Sequence, residues 1–286
     1  MVSLKGTFSI ACLLVFAEAA TANPVEVADG VYSFQGPTTY ISMFVVTDDG
    51  VIVVDPINPG HAQALVGAIK SVTNQPIRYL VHTHNHWDHS GGGKVFRDEG
   101  ATIIAHVDAY NWMKANPHPD MVLPDESWGG SRKDIMLGGK TLELHHFGAS
   151  HGHGMSVPVV AGARVGYIAD LVSPNRLPFF FLPDFTVSEL ERTLEEILTL
   201  DMDKVVYTHN ARPDPVQGGT KQDVADTLQY LRDLRAALDA EIASGTPPWL
   251  APDAVRLPKY ENWVMYEEWL ALNAWKIWLE GQLGPF

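Results

Sequence analysis

His84-Asn85-His86-Trp87-Asp88-His89, running on into Ser90-Gly91-Gly92, gathers three imidazoles and one carboxylate within six residues. A structural core has no use for so many ligand-type side chains in one place. Borderline-soft zinc takes neutral imidazole nitrogen together with some carboxylate oxygen, and this stretch offers both. The preceding Ile77-Arg78-Tyr79-Leu80-Val81 reads as a buried strand, so the cluster sits on a loop at a strand end. A sheet holds such a loop steady while one side stays open. The stretch reads as a catalytic metal site.

A cation with an open position takes about three protein ligands, so a pair needs roughly six or seven. The rest of the chain supplies candidates. His151 closes His146-Phe147-Gly148-Ala149-Ser150-His151, after the apolar-alternating run 141–144. Asp170 ends a second strand-like run, 165–169, and His209 ends a third, 204–208. Each follows an apolar run, so all three have a place at the same sheet edge as the first motif.

This order of motifs, a His-x-His-x-Asp-His loop followed by a lone His, a lone Asp and a lone His, resembles the metallo-β-lactamase fold superfamily across residues 25–212. The resemblance implies an α/β fold (α+β by some schemes), a four-layer αββα sandwich. It also implies a two-zinc centre. His84, His86 and His151 would bind one ion, Asp88, His89 and His209 the other, and Asp170 would bridge them. Two positions depart from the usual pattern: Gly152-His153 after the third-motif histidine, and Tyr207-Thr208-His209-Asn210 around the last. Neither removes a ligand; both alter the rim and so bear on the substrate.

The resemblance further implies hydrolysis of an ester, thioester, lactone or related acyl bond by a metal-bridging hydroxide, with Asp88 orienting the nucleophile. The bridging Asp is similar to that of the glyoxalase II group. His-Phe-Gly-x-x-His is similar to the zinc hydrolases associated with quinoprotein relays. Other readings stand beside this one: a mononuclear iron oxygenase of sulfur compounds, using His84 or His86 with His151 and Asp170; a β-lactamase; and a metal-binding protein without catalysis.

Residues 1–22 read as a secretory signal, with Lys5 at a positive start, a short apolar core at 8–17 and Ala20-Thr21-Ala22 as a cleavage site. That core is too short to span a bilayer as a helix. Cleavage after Ala22 predicts a periplasmic or secreted protein with no membrane attachment. Cys12, the only cysteine, lies in this stretch, so the remainder has neither disulfides nor thiolate ligands. The formal charge is −14 without a Lys/Arg cluster, which argues against nucleic acid and for a small-molecule substrate.

Along the chain, residues 25–34 and 41–46 read as strands, Asp48-Asp49-Gly50 as a turn and 51–55 as the return of a hairpin. Ala64, Leu65, Ala68 and Ile69 give 61–71 helical spacing. After the metal loop come a short helix, a strand at 101–105, a helix at 107–116 and a Pro-, Asp- and Trp-rich loop at 117–130. Strands near 141–147, 155–160 and 165–169 lead to a Pro/Phe-rich loop at 174–183 and a helix at 187–200. Such alternation predicts sheets covered by helices. Val224, Leu228, Leu231, Leu234 and Leu238 mark an amphipathic helix at 223–243, and a Trp-rich helix follows at 261–279. The chain thus divides into a signal (1–22), a catalytic domain (23–215) and a C-terminal helical extension packed on the core (216–286).

The remaining candidates are weaker. His82 either orients a ligand or packs as a neutral core histidine. His153 reads as structural, although it lies beside the site, and His61, His106 and His118 read as unrelated to metal. Phe179-Phe180-Phe181 either line a substrate wall or pack in the core. Arg176 and Arg212 either bind a substrate carboxylate or lie on the surface.

Overall fold

The computed structural model describes residues 23–284; the signal-like stretch 1–22 lies outside the described residues. Among them, one sheet runs in the order β1 (Val25–Ala28), β2 (Val31–Gln35), β3 (Ile41–Thr47), β4 (Gly50–Val54), β5 (Ile77–Val81), β6 (Thr102–His106) and β7 (Glu126–Trp128). Its first four strands are an antiparallel meander and the last four are parallel. Parallel neighbours need crossovers. These carry α1 (Pro59–Val72), α2 (Trp87–Ser90), α3 (Gly93–Asp98) and α4 (Val107–Ala115). The second sheet contains β8 (Arg132–Leu137), β9 (Lys140–His146), β10 (Ser156–Val160), β11 (Val165–Ile168) and β12 (Lys204–Tyr207), ordered β12-β11-β10-β9-β8. Only β11 and β12 run parallel there, joined through α5 (Val187–Thr199).

The side-chain alternation of the central strands explains the layers. Ile41, Met43 and Val45 of β3 and Ile52 and Val54 of β4 pack with Leu142, Leu144, Val157 and Val159 of the second sheet. The intervening Phe44, Val51 and Val53 face the other way, onto Leu65, Ile69 and Phe96 of α1 and α3. A strand covered on both faces reads as a continuous apolar run, which is what 51–54 is. Leu190, Leu194 and Ile197 of α5 cover the far side of the second sheet in one core with α6 (Lys221–Ala243) and α8 (Tyr266–Leu283). The short α7 (Ala251–Ala254) lies between those two in sequence. The result is the αββα sandwich. No helix among the described residues is long and apolar enough to cross a membrane.

Three sequence readings need correction. Residues 25–34 are two strands, because the chain turns at Asp29-Gly30, where Gly30 takes φ +65°. The 117–130 loop ends in β7, and β8 follows; neither was read because β7 has three residues and β8 is largely exposed. The last helix starts at Tyr266, after a 3-10 turn at Pro258–Tyr260 and a left-handed Met265 with φ +67°.

Candidate metal centre

Donors leave from the carboxyl ends of β5, β11 and β12, with His151 arriving from the turn after β9. They meet at Asp170. Its Oδ2 lies 3.2 Å from His84 Nε2, 2.9 Å from His151 Nε2 and 3.9 Å from His86 Nδ1. Its Oδ1 lies 3.1 Å from His89 Nε2 and 2.8 Å from His209 Nε2. One carboxylate therefore presents each oxygen to a separate set of imidazoles. His84, His86, His151 and Asp170 form one group of atoms close enough to hold an ion, and His89, Asp170 and His209 form another.

Neighbouring side chains fix the imidazoles. Thr83 donates its hydroxyl to Asp55 Oδ2 at 2.7 Å and lies 2.9 Å from His84 Nδ1. With the hydroxyl proton engaged, His84 Nδ1–H is the donor and Nε2 keeps its lone pair. His89 Nδ1 stands 3.1 Å from Asp55 Oδ2, which frees its Nε2 in the same way. His86 Nε2 lies 2.7 Å from Asp184 Oδ2, leaving Nδ1 for the centre. Sequence reading missed both Asp55 and Asp184. Asp55 ends an apolar strand without any motif, and only its position after 51–54 points to it. Asp184 sits in an irregular loop that carries no such signal.

These donors fit divalent metal binding. His84 Nε2, His89 Nε2 and Asp170 Oδ1 are buried without a hydrogen-bond partner, a costly state that a cation relieves. The mixed imidazole and carboxylate set suits zinc or iron. The local field also attracts positive charge. Burial lowers His89, but Asp170 and Asp55 outweigh it and hold the imidazole well above the usual range. Burial lowers His86, but Asp170 and Asp184 outweigh it and push the imidazole up to about 9.

Asp88 stands apart from both groups. Its Oδ2 accepts a hydrogen bond from Tyr40 OH at 2.7 Å and lies 4.0 Å from His89 Nε2. The side chain is 55% exposed, at the rim of the centre. Tyr40 also sets its ring edge against His209. Burial and Asp88 raise its phenol above the ordinary range, so it remains a donor.

Gly152 has a steric reason. It takes φ +54°, and a Cβ there would fall 2.8 Å from Asn85 Oδ1 and 3.2 Å from His84 Cδ2. No side chain fits without moving the metal loop. His82 does not orient a ligand: both its ring nitrogens are buried without partners, and burial pushes it down to about 4. His106, Asp108 and His146 form a further group near enough for an ion. The two rings, however, stack at 3.9 Å and 20°. Stacked imidazoles cannot aim their in-plane lone pairs at a common ion. Within the first half-site, ring pairs stand 4.6 to 5.3 Å apart at 58° to 89°.

A cavity of about 800 Å³ opens over the centre, lined by Tyr40, Trp87, Trp112, Phe179 and Phe185 besides the ligands. Arg176 is the one arginine or lysine among the described residues lining it. It donates to Ser173 Oγ at 2.8 Å and lies over the Trp269 ring, while its Nε is buried without a partner. Arg212, by contrast, is ion-paired with Asp223.

The fold and this centre place the chain in a known class. Residues 36–209 match the family model of the metallo-beta-lactamase superfamily, and the chain belongs to that superfamily. It is similar to 2,4-dinitroanisole O-demethylase subunit alpha of Nocardioides sp. strain JS1661, at 27% identity over 196 residues. That match takes in 66% of this chain and 57% of the relative, so the chain spans little more than half the relative's length. Among solved structures, a metallo-beta-lactamase from Pontibacter korlensis superposes with TM-score 0.65 at 18% identity, covering 74% of this chain and 99% of that one. The stereoselective inverting sec-alkylsulfatase Pisa1 from Pseudomonas sp. superposes with TM-score 0.74 at 16% identity, covering 92% of this chain and 50% of that one. At such identities the structural likeness speaks for the fold alone.

Proposed function

We propose that the protein is a binuclear, zinc-dependent hydrolase that cleaves an ester-type bond in a small apolar molecule carrying an anionic or oxygen-rich group. The single observation behind this reading is the division of Asp170, one oxygen to His84, His86 and His151, the other to His89 and His209. The cavity supports the substrate class: aromatic walls suit an apolar body, and Arg176 suits an anion. The relatives' names, an O-demethylase subunit and a sec-alkylsulfatase, each describe removal of a group from oxygen. Residues 1–22 support export to the periplasm.

Divalent cations held by His84, His86, His151, Asp170, His89 and His209 would supply Lewis acidity, lowering the pKa of water and polarising a substrate oxygen. The chain's own side chains do the rest. Asp170 spaces the two imidazole sets. Asp88, which Tyr40 holds at the rim, takes a proton from an attacking water. Arg176 binds the anionic group and turns the scissile bond toward the centre, while Trp87, Phe179 and Phe185 exclude bulk water.

Metal analysis of the purified protein should find about two zinc ions per chain. Carboxylic esters, thioesters, lactones, sec-alkyl sulfates and aryl methyl ethers should then be assayed with loaded, chelated and Asp170→Asn protein. Turnover of one class that disappears in the latter two supports the proposal. Rates indifferent to chelation and to Asp170→Asn would remove it.

A further inference from the structure

The loop at residues 171–186, between β11 and α5, holds an unusual backbone. Asn175, Phe180, Leu182 and Asp184 take φ of +61°, +47°, +50° and +60°. L side chains rarely adopt this region, and it persists only where surrounding contacts outweigh the strain. Several of those contacts come from residues 264–280, on α8 and just before it. Val264 donates its N–H to Asn175 O at 2.9 Å and accepts from Leu177 N at 3.1 Å. Asn273 Nδ2 donates to Pro178 O at 3.1 Å and Phe180 O at 2.6 Å. Glu280 accepts from Val187 N at 2.8 Å and Ser188 N at 3.0 Å, at the loop's exit. All three residues lie outside the region matched by the family model.

Asn273 is the central tie. It is fully buried on α8, and its Oδ1 accepts from Tyr230 OH at 2.9 Å. The loop decides which end of the carboxamide faces it: Pro178 O and Phe180 O only accept, so the amide nitrogen must turn to them, and Oδ1 is left for the Tyr230 hydroxyl. A carboxylate could not replace the carboxamide, having no hydrogen to donate.

The loop touches the imidazoles of one half of the centre, while its tie near the other half, Ala211 N to Pro174 O at 3.2 Å, is to backbone two residues past His209. Asp184 Oδ2 lies 2.7 Å from His86 Nε2, and Asp184 O accepts from Gly152 N at 3.1 Å. Phe185 packs its ring 4.0 Å from that of His151, and Thr186 N donates to Ser150 O at 3.2 Å. Among the described residues, the loop makes no hydrogen bond to His89 or His209.

We infer that Asn273 is a positioning residue: through the 171–186 loop it sets cation affinity at His84, His86 and His151 and leaves the half-site of His89 and His209 unchanged. The inference rests on the reading of the centre as a two-cation site. It is tested on the full-length protein with Asn273→Leu, which removes the donors at similar volume, and with Asp184→Ala. The second change is at an exposed side chain and leaves the ties to α8 untouched. Zinc is titrated against a chromophoric chelator, and cobalt(II) occupancy is followed by its visible spectrum. In both variants one of the two binding steps should weaken by about 10- to 100-fold, and the other should stay at the wild-type value. Equal weakening of both steps, or of neither, in the folded variants would overturn the inference while leaving the two-cation reading intact. A wild-type protein that binds no zinc would sink both.

Discussion

Asp55 Oδ2 stands 3.1 Å from His89 Nδ1, and the same carboxylate accepts from Thr83 N at 2.8 Å and Thr83 Oγ1 at 2.7 Å. One buried carboxylate thus orients His89 directly and His84 through Thr83. Outer partners of ligating histidines fix the tautomer and raise ligand basicity. Asp55→Asn keeps the shape and loses the charge, and it should weaken cation binding by roughly 10- to 100-fold. Equilibrium dialysis against zinc measures this; wild-type affinity would show that Asp55 has no such role.

The two arginines that follow motif residues should separate by phenotype. Arg176→Gln should raise KM for an anionic substrate by about 10- to 100-fold, the equivalent of one charge-assisted hydrogen bond, with a smaller effect on kcat. Arg212→Gln should leave KM alone and lower stability. It strands Asp223, which is 5% exposed and also caps α6 through Thr220 N. Steady-state kinetics beside urea unfolding distinguishes the two, and a reversed pattern would contradict the assignment.

His61 gives a stability dependence on pH whose sign is fixed. The ring is buried between Thr38 Oγ1 at 3.2 Å and Ser42 Oγ at 3.0 Å, and burial pushes it down to about 4. Between pH 6.5 and 4 the unfolded chain binds a proton that the folded one refuses, so stability falls as pH drops through that window. The full effect is about 3 kcal/mol. His61→Gln should flatten the decline by one proton's worth in metal-free protein, as read from urea melts at pH 7 and pH 5. Parallel slopes would mean that His61 titrates normally.

Chelation should destabilise the fold. A ligand at about a thousand times its dissociation constant stabilises by about 4 kcal/mol, on the order of 10 °C in a chain of this size. Calorimetry with and without chelator reads the shift. Superimposed melts would show that the buried nitrogens have no need of a cation.

Much of the centre was legible because its donors cluster after apolar runs: the 84–89 loop, His151, Asp170 and His209 each follow a strand, and strand ends share an edge. Motif position puts Asp88 with the ligands; its bond from Tyr40, 48 residues earlier, had no signal in the motif. Asp55 and Asp184 were hidden because their roles depend on what lies across the fold. The edge strands β7 and β8 were hidden for a simpler reason: short, exposed strands have no alternating burial to reveal them. The amphipathic spacing of α5 and α6 was visible, whereas the carboxamide that ties α8 to the cavity wall had no local pattern at all.

The donors are shared between the sheets. Asp55 and the histidines at 84, 86 and 89 hang from one layer, and His151, Asp170 and His209 from the other. An ion held between them is a rivet through the sandwich. Both groups about Asp170 draw donors from the two layers, so an ion in either would report that both layers have closed. Deuterium uptake in the emptied protein should accordingly spread from this edge inward, with the opposite edge acting as the hinge.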